Sequence, residues 1–376
     1  MEAQSAFWNH LPIRIRFGDG VAAELPGLLA DAGLIRPFVV LDPNVPDPPV
    51  PAGATVYAIA PHEPTSATIE ACGEALRESG ADVVVAIGGG SALDTAKGAR
   101  VVAVHGAPIR RFAWPGDPEP IPPSPYRLVT IPTTAGTGSE VTGGCVMYHE
   151  GHKVSGASPN NRADWALVDP LLTLALPPRA TLYTGADALA QALAAAVVAV
   201  RTPIGDAVAL EATRICAEAY PAVVRDGADA AARNRMLLGS MMAGVAMNIS
   251  EAGTEHSLGE PLGSVYRLPH GLTIGLVLAE TMDVDRRAVP ARFERIADAL
   301  GEPEDGSGDG SRAVRGVGRI LAEVGFPTMR QSGVLEADIP RLADLCEEAW
   351  IPVEPAPWSR ADIEGVYAAG LRIEAR

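Results

Sequence analysis

Over the first 140 or so residues, short apolar runs alternate with stretches whose apolar positions recur at helical spacing. Phe38-Val-Val-Leu41, Thr55-Val-Tyr-Ala-Ile59, Val83 to Ile87 and Arg127-Leu-Val-Thr-Ile131 read as strands. Unbroken apolar, β-branched runs suit strands covered on both faces. Helical stretches near 21–33, 65–79 and 91–104 fall between them. This alternation predicts βαβ units and a parallel sheet. Proline-rich segments at 43–51 and 115–125 read as loops or edge elements. Asp169-Pro170 and Leu176-Pro-Pro178 punctuate a boundary, and after Thr181 the pattern changes. Ala- and Leu-rich stretches of helical period dominate at 186–200, 204–222, 229–249 and 289–300. The expected fold is therefore an α/β domain over residues 1–178 and an all-α domain over 179–376. Glu302 to Arg312 reads as a polar, glycine-rich loop outside the chemistry.

Two loops at the ends of strands carry candidate chemistry. After Val83 to Ile87 come Gly88, Gly89, Gly90 and Ser91, then a helix start. The glycines let a ligand approach the main chain, and Ser91 can cap a helix whose N-terminal N–H groups attract phosphate. A turn that binds nothing would look similar. After Ile131 comes Pro-Thr-Thr-Ala-Gly-Thr-Gly-Ser-Glu140, where Thr133, Thr134, Thr137 and Ser139 offer neutral donors for phosphate and ribose oxygens. Two such loops would share the carboxyl edge of one sheet, where open α/β folds bind ligands. Asp42 ends an early strand. Its carboxylate either accepts from the adenosine ribose hydroxyls, favouring NAD(H) over NADP(H), or caps a turn before Pro43.

Composition narrows the partners. Thirty basic against 46 acidic residues give a net charge of −16, which disfavours nucleic acid and anionic membrane. No apolar run approaches the length of a membrane span. Met1-Glu-Ala-Gln-Ser lacks a basic stretch before an apolar core, so no secretion signal is expected. Cys72, Cys145, Cys216 and Cys346 are scattered without a CxxC pair and read as reduced thiols of a cytoplasmic protein.

Taken together, GGGSALDTAK at 88–97, PTTAGTGSE at 132–140, TGADAL at 184–189 and LPHG at 268–271 are similar, in order and spacing, to the iron-containing (group III) alcohol dehydrogenases. The likeness runs from Phe17-Gly-Asp-Gly20 to about Ala369. It implies a nucleotide-binding front domain, a helical back domain, a cofactor and a divalent metal in the cleft between them, and a homodimer. By resemblance, Gly89, Gly90 and Ser91 hold the pyrophosphate, Thr133, Thr134 and Thr137 line the cofactor groove, and Lys153 contacts the nicotinamide ribose. Lys153 read alone is also compatible with a surface lysine, and Asp94 with Lys97 as a helix-surface pair.

The metal set of the family implies an Asp and a His four apart on one helix, then two more histidines. Here Asp187 is followed by Gln191, with His256 and His270 further on. Asp187, His256 and His270 form a two-His-one-carboxylate set suited to Fe2+ or Zn2+, and Gln191 can add a carbonyl oxygen. Read alone, His256 suits an interhelical contact and His270 a helix cap after Pro269. Glu260 stands four after His256, where the family carries a further histidine. It is a proton-handling group in the cleft or an acid facing water. With His270 it makes the candidate catalytic pair.

The function implied is NAD(P)H-dependent reduction of a small aldehyde or ketone, or the reverse oxidation. Gln191 is similar to the phosphonoacetaldehyde reductase branch, and maleylacetate reductase is another similar branch. Both imply an anionic substrate, for which Arg162 and Arg267 are candidate contacts. The alternatives are a sugar-phosphate enzyme like dehydroquinate synthase and a nucleotide-binding scaffold without catalysis. The first needs clustered basic groups, yet the chain has only Lys97 and Lys153 as lysines, both in the front half.

Overall fold

The computed structural model describes residues 11, 13–60, 62–348, 350 and 352–374. The expectation made on residues 1–5 lies outside them. Six strands form one parallel sheet: β1 (Arg14–Phe17), β2 (Pro37–Leu41), β3 (Thr55–Ala58), β4 (Val83–Gly88), β5 (Arg127–Pro132) and β8 (Trp165–Val168). Their spatial order is β1-β8-β5-β4-β2-β3. The remaining two strands, β6 (Gly144–His149) and β7 (His152–Ala157), form an antiparallel hairpin.

Side-chain alternation sends the central strands' residues to two faces. Phe38, Val40, Val84, Ala86 and Leu128 pack on one side with residues of α2 (Ser66–Ser79) and α3 (Gly90–His105). Val39, Val83, Val85, Ile87, Val129 and Ile131 pack on the other with Leu25 and Leu29 of α1 (Leu25–Asp31). Because all six strands are parallel, Asp42, Gly89 and Thr133 emerge at the same edge.

After β8 the described chain is helical: α4 (Pro178–Val197), α5 (Pro203–Arg225), α6 (Ala230–Ser250), α7 (Thr254–Tyr266), α8 (His270–Asp285), α9 (Pro290–Ala299), α10 (Ser311–Glu323), α11 (Ile339–Glu348) and α12 (Arg360–Arg372). Helix α4 lies at the centre of this half, buried along nearly its whole circumference from Gly185 to Val197. Such a helix is apolar all round because neighbours cover every face. Asp187 and Gln191 are the polar exceptions on that stretch, each almost fully buried. Among the described residues no helix is long and apolar enough to cross a membrane, and all four cysteines are buried free thiols.

Candidate metal and cofactor site

The two strand-end loops touch. Thr133 N donates to Gly88 O at 3.0 Å. A methyl group on Gly89 would lie 3.0 Å from Thr134 Cγ2, and one on Gly90 would lie 2.8 Å from Thr137 Cγ2. A side chain at either position would force the facing threonine to move, so the two loops form one close-fitting cradle. The expectation that Ser91 caps the helix is corrected. Helix α3 starts at Gly90, Gly89 is its N-cap, and no side chain caps it. The first-turn N–H groups thus meet no protein side-chain acceptor at the cap, the arrangement that suits an anion. Asp42 sits beside this cradle, with its N donating to Ile87 O at 2.9 Å. Its Oδ1 accepts from Asn44 N and Nδ2, both at 3.0 Å. The turn-capping role is therefore present, while Oδ2 has no part in it.

Beneath the cradle the sequence reading fails at Lys97. It is no helix-surface lysine but is fully buried. Its Nζ donates to Ser139 Oγ and Gly144 O, each at 2.7 Å. Asp94 accepts from Ser139 Oγ at 2.6 Å and from Val146 N at 3.0 Å. Asp94 and Lys97 thereby fasten helix α3 to the second loop and to strand β6.

The metal candidates come from three helices. Asp187 is carried by α4, His256 by α7 and His270 by the first position of α8. One ligand atom from each lies within 4.8 Å of the others, and no other such group forms among the described residues. Asp187 Oδ1 is 3.7 Å from His256 Nε2 and 3.6 Å from His270 Nε2. These separations are too long for hydrogen bonds, and Asp187 Oδ1 is a buried atom without a hydrogen-bond partner. The amide oxygen of Gln191, one turn along the same helix, is also buried without a partner. Buried polar atoms are rarely left unpaired, so both orphans fit a cation. The donor set, one carboxylate and two imidazoles, is suitable chemistry for Fe2+ or Zn2+.

Electrostatics hold Asp187 and His270 in the forms that ligate a cation, whereas His256 must release a proton to do so. Burial pushes the Asp187 carboxyl up, but His270, His256 and Lys153 outweigh it and hold it below its usual range. Burial pushes His256 down, yet Asp187 and Glu255 more than offset this and carry it up to about 10. His270 is pushed down to about 4 by burial and by Lys153.

The front half reaches this cluster through the β6–β7 hairpin. Lys153 Nζ lies 2.9 Å from His270 Nδ1 and 3.3 Å from Glu63 Oε2, and its side chain is buried. An ammonium has no lone pair, so Nδ1 accepts from it and the ring carries its proton on Nε2. Ligation through Nε2 needs the other tautomer, with Lys153 turned toward Glu63. Burial pushes Glu260 up, against the opposing pull of Lys153 and His256. It lines a cavity of about 360 Å³ with Arg110, His149, Lys153 and Glu348. Glu260 therefore faces this cavity, to which Asp187, His256 and His270 contribute no lining. Arg162 does not line that cavity; its Nε donates to Asn248 Oδ1 at 2.9 Å. Arg267 approaches Gly151 at the hairpin turn.

Sequence reasoning passed over Glu255, whose Oε1 is 2.8 Å from His256 Nδ1. It is buried, and adjacent helix residues do not ordinarily face one another.

Comparison with known proteins identifies the family. The family described as "Iron-containing alcohol dehydrogenase" matches residues 12–170, and "Fe-containing alcohol dehydrogenase family, C-terminal" matches residues 181–371. The chain is 34% identical over 279 residues to a 1,3-propanediol dehydrogenase of Citrobacter freundii, covering 72% of this chain and 71% of that protein. It is 31% identical to a sulfoacetaldehyde reductase of Bilophila wadsworthia, covering 90% of this chain and 92% of that protein. The structure of sulfoacetaldehyde reductase from Bifidobacterium kashiwanohense in complex with NAD+ superposes with a TM-score of 0.89 at 25% identity, over 99% of this chain and 100% of that one. The chain belongs to the iron-containing alcohol dehydrogenase family, an oxidoreductase family.

Proposed function

We propose that this protein uses NADH to reduce a short polar aldehyde or ketone, or runs the reverse alcohol oxidation, in the cleft between the glycine cradle and the Asp187–His256–His270 cluster. One observation carries the reading: a three-ligand group with an orphaned carboxylate oxygen opens toward the hairpin lysine of the nucleotide-binding half. Gly89, Gly90 and Ser91 hold the pyrophosphate. Thr133, Thr134 and Thr137 line the groove, and Lys153 serves the nicotinamide ribose. Asp42 takes the adenosine ribose hydroxyls and repels a 2′-phosphate, which selects NAD(H). A divalent ion (Fe2+ or Zn2+) bound by Asp187, His256 and His270, with Gln191 as a neutral oxygen donor, would supply Lewis-acid polarisation of the substrate oxygen. His270 borders the reacting carbonyl, and Glu260, held above its usual carboxylate range, passes the proton between cleft and solvent.

The cavity lined by Pro115, Val154, Pro261 and Leu345 as its apolar members meets the cluster at Lys153, which contacts His270, and none of the three candidate ligands lines it. A phosphonoaldehyde is the anionic end of this substrate class. Arg110 and Lys153 would attract it, whereas Glu150, Glu260 and Glu348 oppose it. A cytoplasmic homodimer completes the reading, carried over from family resemblance and the four buried thiols.

The test is loss of NADH absorbance on mixing metal-supplemented protein with propionaldehyde, glycolaldehyde and phosphonoacetaldehyde. Aldehyde-dependent oxidation is the expected result. NADH binding without turnover, in protein shown by elemental analysis to hold metal, would leave only the nucleotide-binding scaffold.

A further inference from the structure

We propose that Glu255 is the positioning residue of the metal-binding set, orienting His256 and placing a negative charge behind its ring. The inference rests on reading Asp187, His256 and His270 as ligands.

Three observations converge on it. First, Glu255 Oε1 is 2.8 Å from His256 Nδ1, and His256 Nε2 faces Asp187 Oδ1 at 3.7 Å. A carboxylate accepts only, so Nδ1–H donates to it. That fixes the ring plane and leaves Nε2 as the nitrogen turned to the ligand group. A carboxylate behind a metal-bound imidazole both orients the ring and raises its basicity.

Second, the fold makes room for this contact. A methyl group on Gly253 would lie 2.3 Å from Glu255 Oε2, 2.9 Å from Oε1 and 2.6 Å from Ala194 Cβ. Gly253 is the N-cap of α7, and His256 N donates to its carbonyl at 3.1 Å. Without a side chain there, the Glu255 carboxylate folds back over the helix start and reaches the ring of its own neighbour. Successive helix residues rarely meet this way, so the missing Cβ is what permits it.

Third, charge balance favours it. Asp187 is the one anion among the four candidate ligands, since Gln191 is neutral. A divalent cation held by that set keeps a net charge of +1 in a buried site. Burying uncompensated charge is costly. Glu255 is itself buried and adds a second negative charge directly behind one ligand. The departure at 191 removed a neutral imidazole, so Glu255 does not restore a ligand. It strengthens one that remains.

The experiment is a Zn2+ titration of metal-stripped protein by competition with a chromophoric chelator, run beside NADH binding and thermal unfolding of the same metal-free samples. Glu255→Gln keeps an acceptor for Nδ1–H but removes the charge. It should weaken Zn2+ binding by about 10- to 100-fold, with NADH affinity unchanged. Glu255→Ala should weaken it further. Gly253→Ala, which alters no ligand, should act in the same direction by displacing the carboxylate. Unaltered Zn2+ affinity in Glu255→Gln overturns the inference while leaving the proposed function standing. Loss of Zn2+ binding only in step with lost NADH binding and lower metal-free stability overturns it too, by reducing Glu255 to a structural part. Failure of the unmodified protein to bind Zn2+ or Fe2+ at all overturns both this inference and the metal reading.

Discussion

At position 191 a glutamine stands where the family resemblance implies histidine, and its amide oxygen is buried without a partner. An imidazole there would add a stronger donor one turn from Asp187. Gln191→His should therefore tighten Zn2+ binding by about tenfold or more, measured by the same chelator competition. Unchanged affinity would remove residue 191 from the ion's surroundings. At the other end of the cleft, Asp42 has one oxygen engaged by Asn44 and the other outside that turn. Removing its charge in Asp42→Gly relieves repulsion of a 2′-phosphate. The ratio of kcat/KM for NADPH to that for NADH should rise about tenfold, equivalent to roughly 1.4 kcal/mol. A ratio that does not move would take Asp42 out of cofactor selection. Asp187 and His270 were legible as residues because each lies in a short motif, and His256 because it stands fourteen residues before His270. Glu255 was not, because its role depends on a glycine two residues earlier and on a contact between adjacent positions that helical spacing does not signal.

Strands β2, β4 and β5 were legible as short apolar or β-branched runs covered on both faces, and the exposed edge strand β3 by its Thr-Val-Tyr-Ala run alone. Strand β1 was missed because Arg14-Ile-Arg-Phe17 lies at the sheet edge, mostly exposed, and its pattern carries charge. The β6–β7 hairpin was missed because Glu150 and Gly151 turn it, with φ of 51° and 85°. Asparagine or aspartate before the glycine is the stronger hairpin signal. The loop between β5 and β6 yields a prediction about pH. Glu140 is buried beside Lys97, and burial pushes its carboxyl from 4.5 up to about 7 despite Lys97. The native state therefore keeps a proton that the unfolded chain releases between those values. This contribution to stability is fully present below pH 4.5 and is lost as pH rises through about 7. Glu140→Gln should raise the unfolding temperature at about pH 8 by roughly 2 °C. Near pH 4.5 it should change little, as read by differential scanning calorimetry. An equal effect at both pH values would contradict the assigned burial of a titrating carboxyl.

For the whole molecule, the site exists only because two halves built on different periodicities meet. Asp187, His256 and His270 come from α4, α7 and α8, while Lys153 and the glycine cradle come from the sheet half. A pattern read along the chain shows each half but not their approach, so the Lys153–His270 contact could not be read from sequence. The fasteners of that approach are local. A methyl group on Gly136 would lie 2.7 Å from Thr184 Cβ, which packs the second loop against α4. Stripping the metal should leave this packing intact while abolishing aldehyde reduction, and adding Zn2+ or Fe2+ should restore it. The most direct measurement is anomalous X-ray scattering from a crystal of the protein with Zn2+ and NADH. One strong peak in contact with Asp187 Oδ1, His256 Nε2 and His270 Nε2, facing a cofactor whose pyrophosphate rests on Gly89 and Gly90, is the predicted result. A cofactor on the cradle with no metal peak at those three atoms would contradict the account.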